Sequence, residues 1–404
     1  MKKKIKKLRA DLSRHVRKAI RYAVTWKDRR LVKKLLRTVP KDQRPIYKTV
    51  LDNVVHYCQG ERSYNFSHGY GTSPVSSSIL IKLTKNIFDG LVARQIVGVQ
   101  PMRGPVGLAY GLRYKESKDA ESDSNRLTLE VVSQAVEAGT RKLQAHWSLE
   151  AQQDITNLHG LDIEEEIITA VAAEIVQELD TEVIHDLYHL AKTRSTIDFT
   201  KKPKSDDLAV DRFALISVNV NAVANEIGRK TRRGCGNFIV CSPVIVSVLQ
   251  SCKTIAFAPA TAGSFKGPCN TMFVGTLNGT IRVYSTLTLP TEEGFDDIII
   301  VGYKGTGDID TGYVYCPYMM LLSTGVVIHP ITFQPMVSTM TRYGKSLFHY
   351  AKDSGIVGES GDYYGVVRIK GMAKMFEKMS QEVDELVNLE HTPSDAPTDA
   401  HFIG

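Results

Sequence analysis

The run His185-Asp186-Leu187-Tyr188-His189 sets two imidazoles one helical turn apart, the spacing by which HExxH helices present two ligands to zinc. Its acid is Asp, shorter than the Glu that reaches a metal-bound water in that chemistry, and no third ligand follows at a suitable distance. The expectation is therefore two polar residues near the end of a long helix, with no metal site. Phosphate chemistry fares no better. Gly228-Arg229-Lys230-Thr231 lacks the earlier glycine of a Walker loop and the Lys directly after Gly. The stretch from Gly302 to Gly312, GYKGTGDIDTG, is rich in glycine without GxGxxG spacing or a surrounding βαβ unit, so it reads as a turn between strands. Cysteines at 58, 235, 241, 252, 269 and 316 form no CxxC pair and read as reduced, mostly buried small hydrophobes. No GxSxG elbow and no Cys with an assigned base is present. The residues nominate no catalytic group, no cofactor and no metal; the chain does not read as an enzyme.

The elements behind these motifs belong to an ordinary globular chain. Its 404 residues are 43% hydrophobic and 24% charged, which excludes fibrous and globally disordered classes. The longest apolar stretches are broken well short of the roughly 20 residues needed to span a bilayer, so no membrane partner is expected. MKKKIKKLRADLSRH has the cationic start of a secretion signal without the apolar run behind it, and the chain is expected to stay in the cytoplasm where it is made. The net charge of +7 is uneven. Residues 1–45 hold 18 Lys or Arg against three Asp, a balance of +15, leaving 33 basic and 41 acidic groups, or −8, elsewhere. Leu8, Leu12, Val16 and Ile20, then Leu31, Val32, Leu35 and Leu36, recur at helical spacing and predict amphipathic helix to Val39, ended by Pro40 and Pro45. Residues 60–77, rich in Gly, Ser and Tyr, read as an extended linker.

Beyond the arm, Val106, Leu108, Tyr110, Leu112 and Tyr114 alternate strictly, and Leu127, Leu129 and Val131 alternate again after the polar stretch KESKDAESDS: a β-hairpin with a charged tip that projects into water or towards another subunit. From Ile163 the apolar residues step by four through Ile167, Val171, Ile175, Leu179, Val183 and Leu187, predicting a helix of about 30 residues that needs a sheet to lie against. A mixed region follows from about residue 207 to 335. It contains the buried-strand run NFIVC, a helix capped by Ser242 with Pro243 at its first position, and the strands TMFVGTL, TIRVYST, DIIIVGY and YVYCPYMMLL. Strand-like FQPMVSTMTRY and YYGVVRIKG come next, then an amphipathic helix from Ala373 to about Leu389 and a polar tail.

Seven co-linear segments carry a resemblance: VGVQPMRGPVGLAYGLRY (97–114), RKLQAHWSLEAQQDITNLHGLDIEEEI (141–167), EIVQELDTEVI (174–184), IGRKTRRGCGNFIVCS (227–242), IIVGYKGTGDIDTGYVYCPYM (299–319), FQPMVSTMTRYG (333–344) and YYGVVRIKG (363–371). Together they make the chain resemble the major capsid proteins of T-even-type tailed bacteriophages. The resemblance implies an α+β chain with the Hong Kong 97-type capsid fold. In these terms residues 1–75 are a basic helical arm and linker. Residues 76–206 are the first part of a peripheral domain, with an extended loop at about 105–132 and a spine helix at about 162–192. Residues 207–335 are an axial domain, 336–372 return to the peripheral domain, and 373–404 are a C-terminal helix and polar tail.

The function so implied is a self-assembling subunit that forms hexameric capsomers of an icosahedral or elongated virion head around double-stranded DNA, assembled in the host cytoplasm. Its partners would be further copies of itself, the vertex, portal, scaffold and decoration proteins of the phage, and packaged DNA without sequence specificity. The alternatives are a related vertex protein that forms pentamers, or a basic nucleic-acid-binding protein. Only about ten polar residues stand where T-even relatives insert a domain between the loop strands, and the sole Glu before residue 75, Glu61, lacks the [Leu/Ile]-x-Glu pattern of prohead-protease cleavage. The arm is therefore expected to be retained, with Lys2, Lys3, Lys4, Lys6, Lys7, Arg14, Arg17, Lys18 and Arg21 meeting phosphate. The loop tip, with Lys115, Glu116, Lys118, Asp119, Glu121 and Asp123, is expected to contact an adjacent subunit through charge pairs. Met375, Phe376, Met379, Val383 and Leu386 should pack the C-terminal helix onto the shell.

Overall fold

A computed structural model describes residues 27–68, 77–118, 125–159, 163–200, 209–251, 257–259, 272–328, 334–348 and 356–372. The arm cations expected to meet phosphate, the tip residues Asp119, Glu121 and Asp123 and the helix expected from Ala373 lie outside the described residues.

The helices are α1 (residues 27–36), α2 (Arg44–His68), α3 (Ser77–Gly90), α4 (Ala93–Ile96), α5 (Leu149–His159), α6 (Ile163–Leu190), α7 (Ala209–Thr231) and α8 (Pro243–Ser251). The strands are β1 (Gly98–Val99), β2 (Val106–Lys118), β3 (Asn125–Glu137), β4 (Gly139–His146), β5 (Thr193–Asp198), β6 (Phe238–Cys241), β7 (Phe257–Pro259), β8 (Met272–Leu277), β9 (Ile281–Ser285), β10 (Asp297–Gly302), β11 (Tyr313–Ile328), β12 (Pro335–Leu347), β13 (Ile356–Val357) and β14 (Tyr364–Lys370).

They form three sheets: β1-β11-β12-β4, β5-β14-β10-β6-β9-β8-β7 and β13-β2-β3. The seven-stranded sheet is a wall shared by two cores. Phe238, Val240, Ile298 and Ile300 face one core, while the intervening Ile239, Cys241, Ile299 and Val301 face the other. Burial on both faces is why NFIVC and DIIIV are continuous apolar runs instead of alternating ones. Helices α7 and α8 cover the second core through Ile216, Val220, Val223, Ile227, Ile245 and Leu249. Ser242 Oγ accepts the Ile245 N–H at 3.3 Å, so the expected cap with Pro243 at the first helical position is present. β5 and β14 form one edge of the seven-stranded sheet as a parallel pair, and β11 pairs with β12 in the four-stranded sheet.

The spine is α6, 28 residues and about 42 Å long. It buries more than a single stripe: Ile168, Val171, Ala172, Ile175, Val176, Leu179, Val183, Ile184, Leu187 and Tyr188 all enter the first core. Its polar side ties down three strands, β4, β11 and β12. Glu182 accepts hydrogen bonds from Lys345 (2.9 Å) and the Tyr343 hydroxyl and pairs with Arg141 (2.7 Å), and Asp186 accepts from Tyr313 (2.8 Å) and Lys345 (2.6 Å). Desolvation works to raise the Glu182 carboxyl, but the Tyr343 and Lys345 donors and Arg141 outweigh it and hold it below its ordinary value.

Two expectations for the N-terminal region change. The linker expected over 60–77 is helical as far as His68, as the last turns of α2. From residue 27 the basic arm is part of the subunit's own core, where Val32, Val39, Tyr47, Val50, Leu51 and Val54 are buried. A helix bearing apolar residues at this spacing finds its cover within the same chain, so the Leu31–Leu36 stripe is not left for another surface.

Asp180 of α6 is 2% exposed and accepts the backbone N–H groups of Val92 (3.1 Å) and Ala93 (2.8 Å), capping α4. Burial pushes its carboxyl up to about 7, against the pull of those two donors. A carboxyl whose pKa is raised by folding contributes its stability fully below its unfolded pKa, and the contribution is lost as pH rises through about 7. The wild-type fold should therefore lose stability between about pH 4 and pH 7 relative to Asp180→Asn, by on the order of 4 kcal/mol. Equal pH slopes in urea melts of the two chains would contradict this.

Candidate assembly surface

The hairpin β2–β3 pairs from Val106 opposite Glu137 to Lys118 opposite Asn125, so directly opposed residues share a face. One face carries Gly107, Ala109, Gly111, Arg113, Val132 and Val136, and packs on the third core with Met102, Val314, Cys316 and Phe348. The glycines let this face approach the core closely. A Cβ on Gly111 would meet the Phe348 ring at 3.0 Å, and one on Gly107 would meet the Met102 side chain at 3.1 Å. Close approach fixes which way the hairpin turns its large residues.

The root is held by polar contacts. Gln100 donates to the Tyr110 carbonyl (2.7 Å) and accepts its N–H (2.9 Å), and the Leu112 N–H reaches the Ile309 carbonyl (3.0 Å). Arg113 is fully buried, donates to the carbonyls of Leu112 (2.9 Å) and Thr311 (2.7 Å), and lies against the rings of Phe348 (5.2 Å) and Tyr363 (4.5 Å). Aromatic faces and carbonyl oxygens offset part of the cost of burying the guanidinium, whose Nε is left without a hydrogen-bond partner among the described residues. The Tyr114 ring sits 4.9 Å from Arg233, which pairs with Asp310 at 2.9 Å, and β13 pairs with Tyr114 and Lys115.

The opposite face is apolar and open. Val106 is 62% exposed, Leu108 56%, Tyr110 42%, Leu129 57% and Val131 60%. Alternate positions of two paired strands place them side by side, a contiguous patch on a projecting element. Isolated exposed apolar residues are common, but a clustered sheet face of this kind marks an interaction surface.

Sequence reasoning expected the hairpin to reach towards another subunit and singled out its charged tip, without singling out this face. The signal was present. Small residues at 107, 109 and 111 mark the side packed closely on the core, which forces the intervening large residues outward. Of the tip residues, Lys115 lies within β2 and pairs with Glu130 of its own hairpin at 3.6 Å, and Glu116 and Lys118 continue the strand.

The other candidates are structural in their contacts. Asp186 of the His185–His189 run holds Tyr313 and Lys345. His189 stacks edge-on with Tyr188 (5.3 Å between rings), and His185 lines a groove beside Arg141, Glu178 and Glu182. Among the described residues, no group of three or more His, Cys, Asp or Glu side chains is placed to hold a metal ion. Cys241 and Cys316 are buried, with burial pushing the Cys316 thiol up to about 12 and the Cys241 thiol higher, while Cys235 is exposed. Among the described residues, no helix is long and apolar enough to cross a membrane.

The family model described as major capsid protein Gp23 matches residues 75–126 and 116–369, most of the chain. The major capsid protein of Vibrio phage KVP40 is 29% identical over 278 residues, covering 64% of this chain and 53% of that one. That of Enterobacteria phage T4 is 30% identical over 247 residues, covering 57% and 46%. The chain thus spans about half the length of the curated relatives it matches. Among solved structures, the capsid of Myoviridae Phage XM1 aligns with a TM-score of 0.40 at 10% identity, over 69% of this chain and 89% of that one. The matched residues run through the hairpin, the spine helix and the shared sheet wall, and on that match the chain belongs to the Gp23 family of major capsid proteins.

Proposed function

We propose that the chain is the shell-forming subunit of a tailed-phage head, associating with copies of itself into hexameric capsomers around double-stranded DNA. The observation that carries this reading is the open apolar face of the hairpin, Val106, Leu108, Tyr110, Leu129 and Val131, on an element anchored firmly at its root. A rigid root with an apolar outer face suits a clasp laid on a neighbouring copy. The work is the building of interfaces, without catalysis.

The basic segment before residue 27 would face the packaged genome, its lysines and arginines meeting phosphate without reading bases. Vertex, portal, scaffold and decoration proteins would be further partners, and the virion head the final location, after assembly in the host cytoplasm.

Expression of the 404-residue chain followed by negative-stain microscopy tests the reading. Shells, tubes or hexameric rings are expected. A chain that stays monomeric at every concentration reached, and shifts DNA in a gel, would favour the nucleic-acid-binding alternative.

A further inference from the structure

The turn Gly302–Gly312 has no phosphate-loop spacing, yet it brings one wall of a cationic cleft of about 540 Å³ to the end of the seven-stranded sheet. Three elements distant in the chain meet there. Arg94 comes from α4, Arg282 from β9, and Lys304 and Thr306 from the turn that follows β10. Asn237, just before β6, clamps the turn by donating to the Lys304 carbonyl (2.6 Å) and accepting the Lys304 N–H (3.1 Å).

The lining holds three cations and no carboxylate. The nearest acids stand at its edge: Asp308 is 3.6 Å from the Lys304 ammonium, and Asp89 is 3.7 Å from Arg94 and is shared with Lys85. The Lys304 side chain, 12% exposed, donates to the Arg94 carbonyl at 2.6 Å. Burial first, then the fields of Arg282 and Arg94, brings its ammonium down to about 8 despite Asp308. Arg282 forms no ion pair among the described residues. Its backbone N–H is held by the Asn237 carbonyl at 2.9 Å, which keeps the guanidinium stem at the cleft. Gln95 adds a neutral donor, since its carbonyl oxygen already accepts the Tyr284 hydroxyl at 3.0 Å and leaves the NH2 group available.

We propose that this cleft binds a free phosphate-type oxyanion of two or more phosphate groups. A single carboxylate would fill little of the volume and would still leave the group of Arg94, Arg282, Lys304 and Lys85 one positive charge in excess of Asp89 and Asp308. A polyphosphate supplies both the charge and the several acceptor oxygens that a guanidinium, an ammonium, a hydroxyl and an amide can share. This site is independent of shell formation and stands or falls separately from it.

The test is calorimetric titration of the full chain with inorganic triphosphate at fixed ionic strength, with a DNA duplex as a competing arm. Each lost charge-assisted contact should weaken binding by roughly tenfold or more. Arg282→Gln and Lys304→Gln are therefore each expected to weaken triphosphate binding at least that much, while Lys142→Gln on β4 leaves it unchanged. Arg282 lies partly exposed at a strand end, so Arg282→Gln keeps the test decisive even if the buried Lys304 variant misfolds. The proposal is overturned if Arg282→Gln binds triphosphate as tightly as wild type or if Lys142→Gln loses as much affinity. Binding of the DNA duplex that triphosphate does not displace, with no triphosphate binding of its own, overturns it too.

Discussion

Replacing both Leu108 and Val131 with glutamate is expected to abolish particle formation while leaving the subunit folded. Both residues are more than half exposed in the single chain, so charge there disturbs little of the core. Covered by a neighbouring copy, each apolar side chain contributes about 1.5–3 kcal/mol, and a glutamate buried in its place costs desolvation as well. The concentration needed for assembly should rise on the order of 10²–10³-fold or more, measured by sedimentation of particles against free subunit. Thermal melting of the unassembled chain should move by no more than a few degrees. Particles forming at the wild-type threshold would remove the hairpin face from the interface.

The second large effect lies beneath the hairpin. Phe348 is 1% exposed and touches three things at once: the buried Arg113 guanidinium, the backbone at Gly111 and the small third core. Phe348→Ala should cost about 3–5 kcal/mol, because the cavity it leaves borders a buried charge that loses one of its two aromatic faces. Urea unfolding gives the global loss. Hydrogen exchange should localise the loosening to the β2–β3 root, at residues 106–115, with α7 and α8 protected as before. A uniform rise in exchange over both regions would mean that the root is not a separate unit.

Several elements were legible in the sequence because one physical rule determined each. Strict alternation over 106–114 specified a strand with two unlike faces, and steps of four specified α6. The unbroken run NFIVC announced a buried strand, and DIIIVGY a strand. What alternation cannot say is which face turns inward, and the answer lay in the small residues between the large ones. Partnership was hidden as well. β5 and β14 pair in parallel although some 170 residues separate them, and no local pattern encodes that choice. The helical end of α2 was hidden by Gly60 and the polar residues after it, whose weak helix preference is overridden once the preceding turns are anchored in the core. The cleft of Arg94, Arg282 and Lys304 is legible only in three dimensions, since its members belong to three elements that the sheet end brings together.

The account rests on the hairpin as a clasp between copies. A density map of assembled particles at side-chain detail tests it most directly. The account predicts that Val106, Leu108, Leu129 and Val131 are covered by an adjacent copy, with their exposed apolar area removed from solvent. A shell in which that face stays open to water, and neighbouring copies meet only elsewhere, would contradict it.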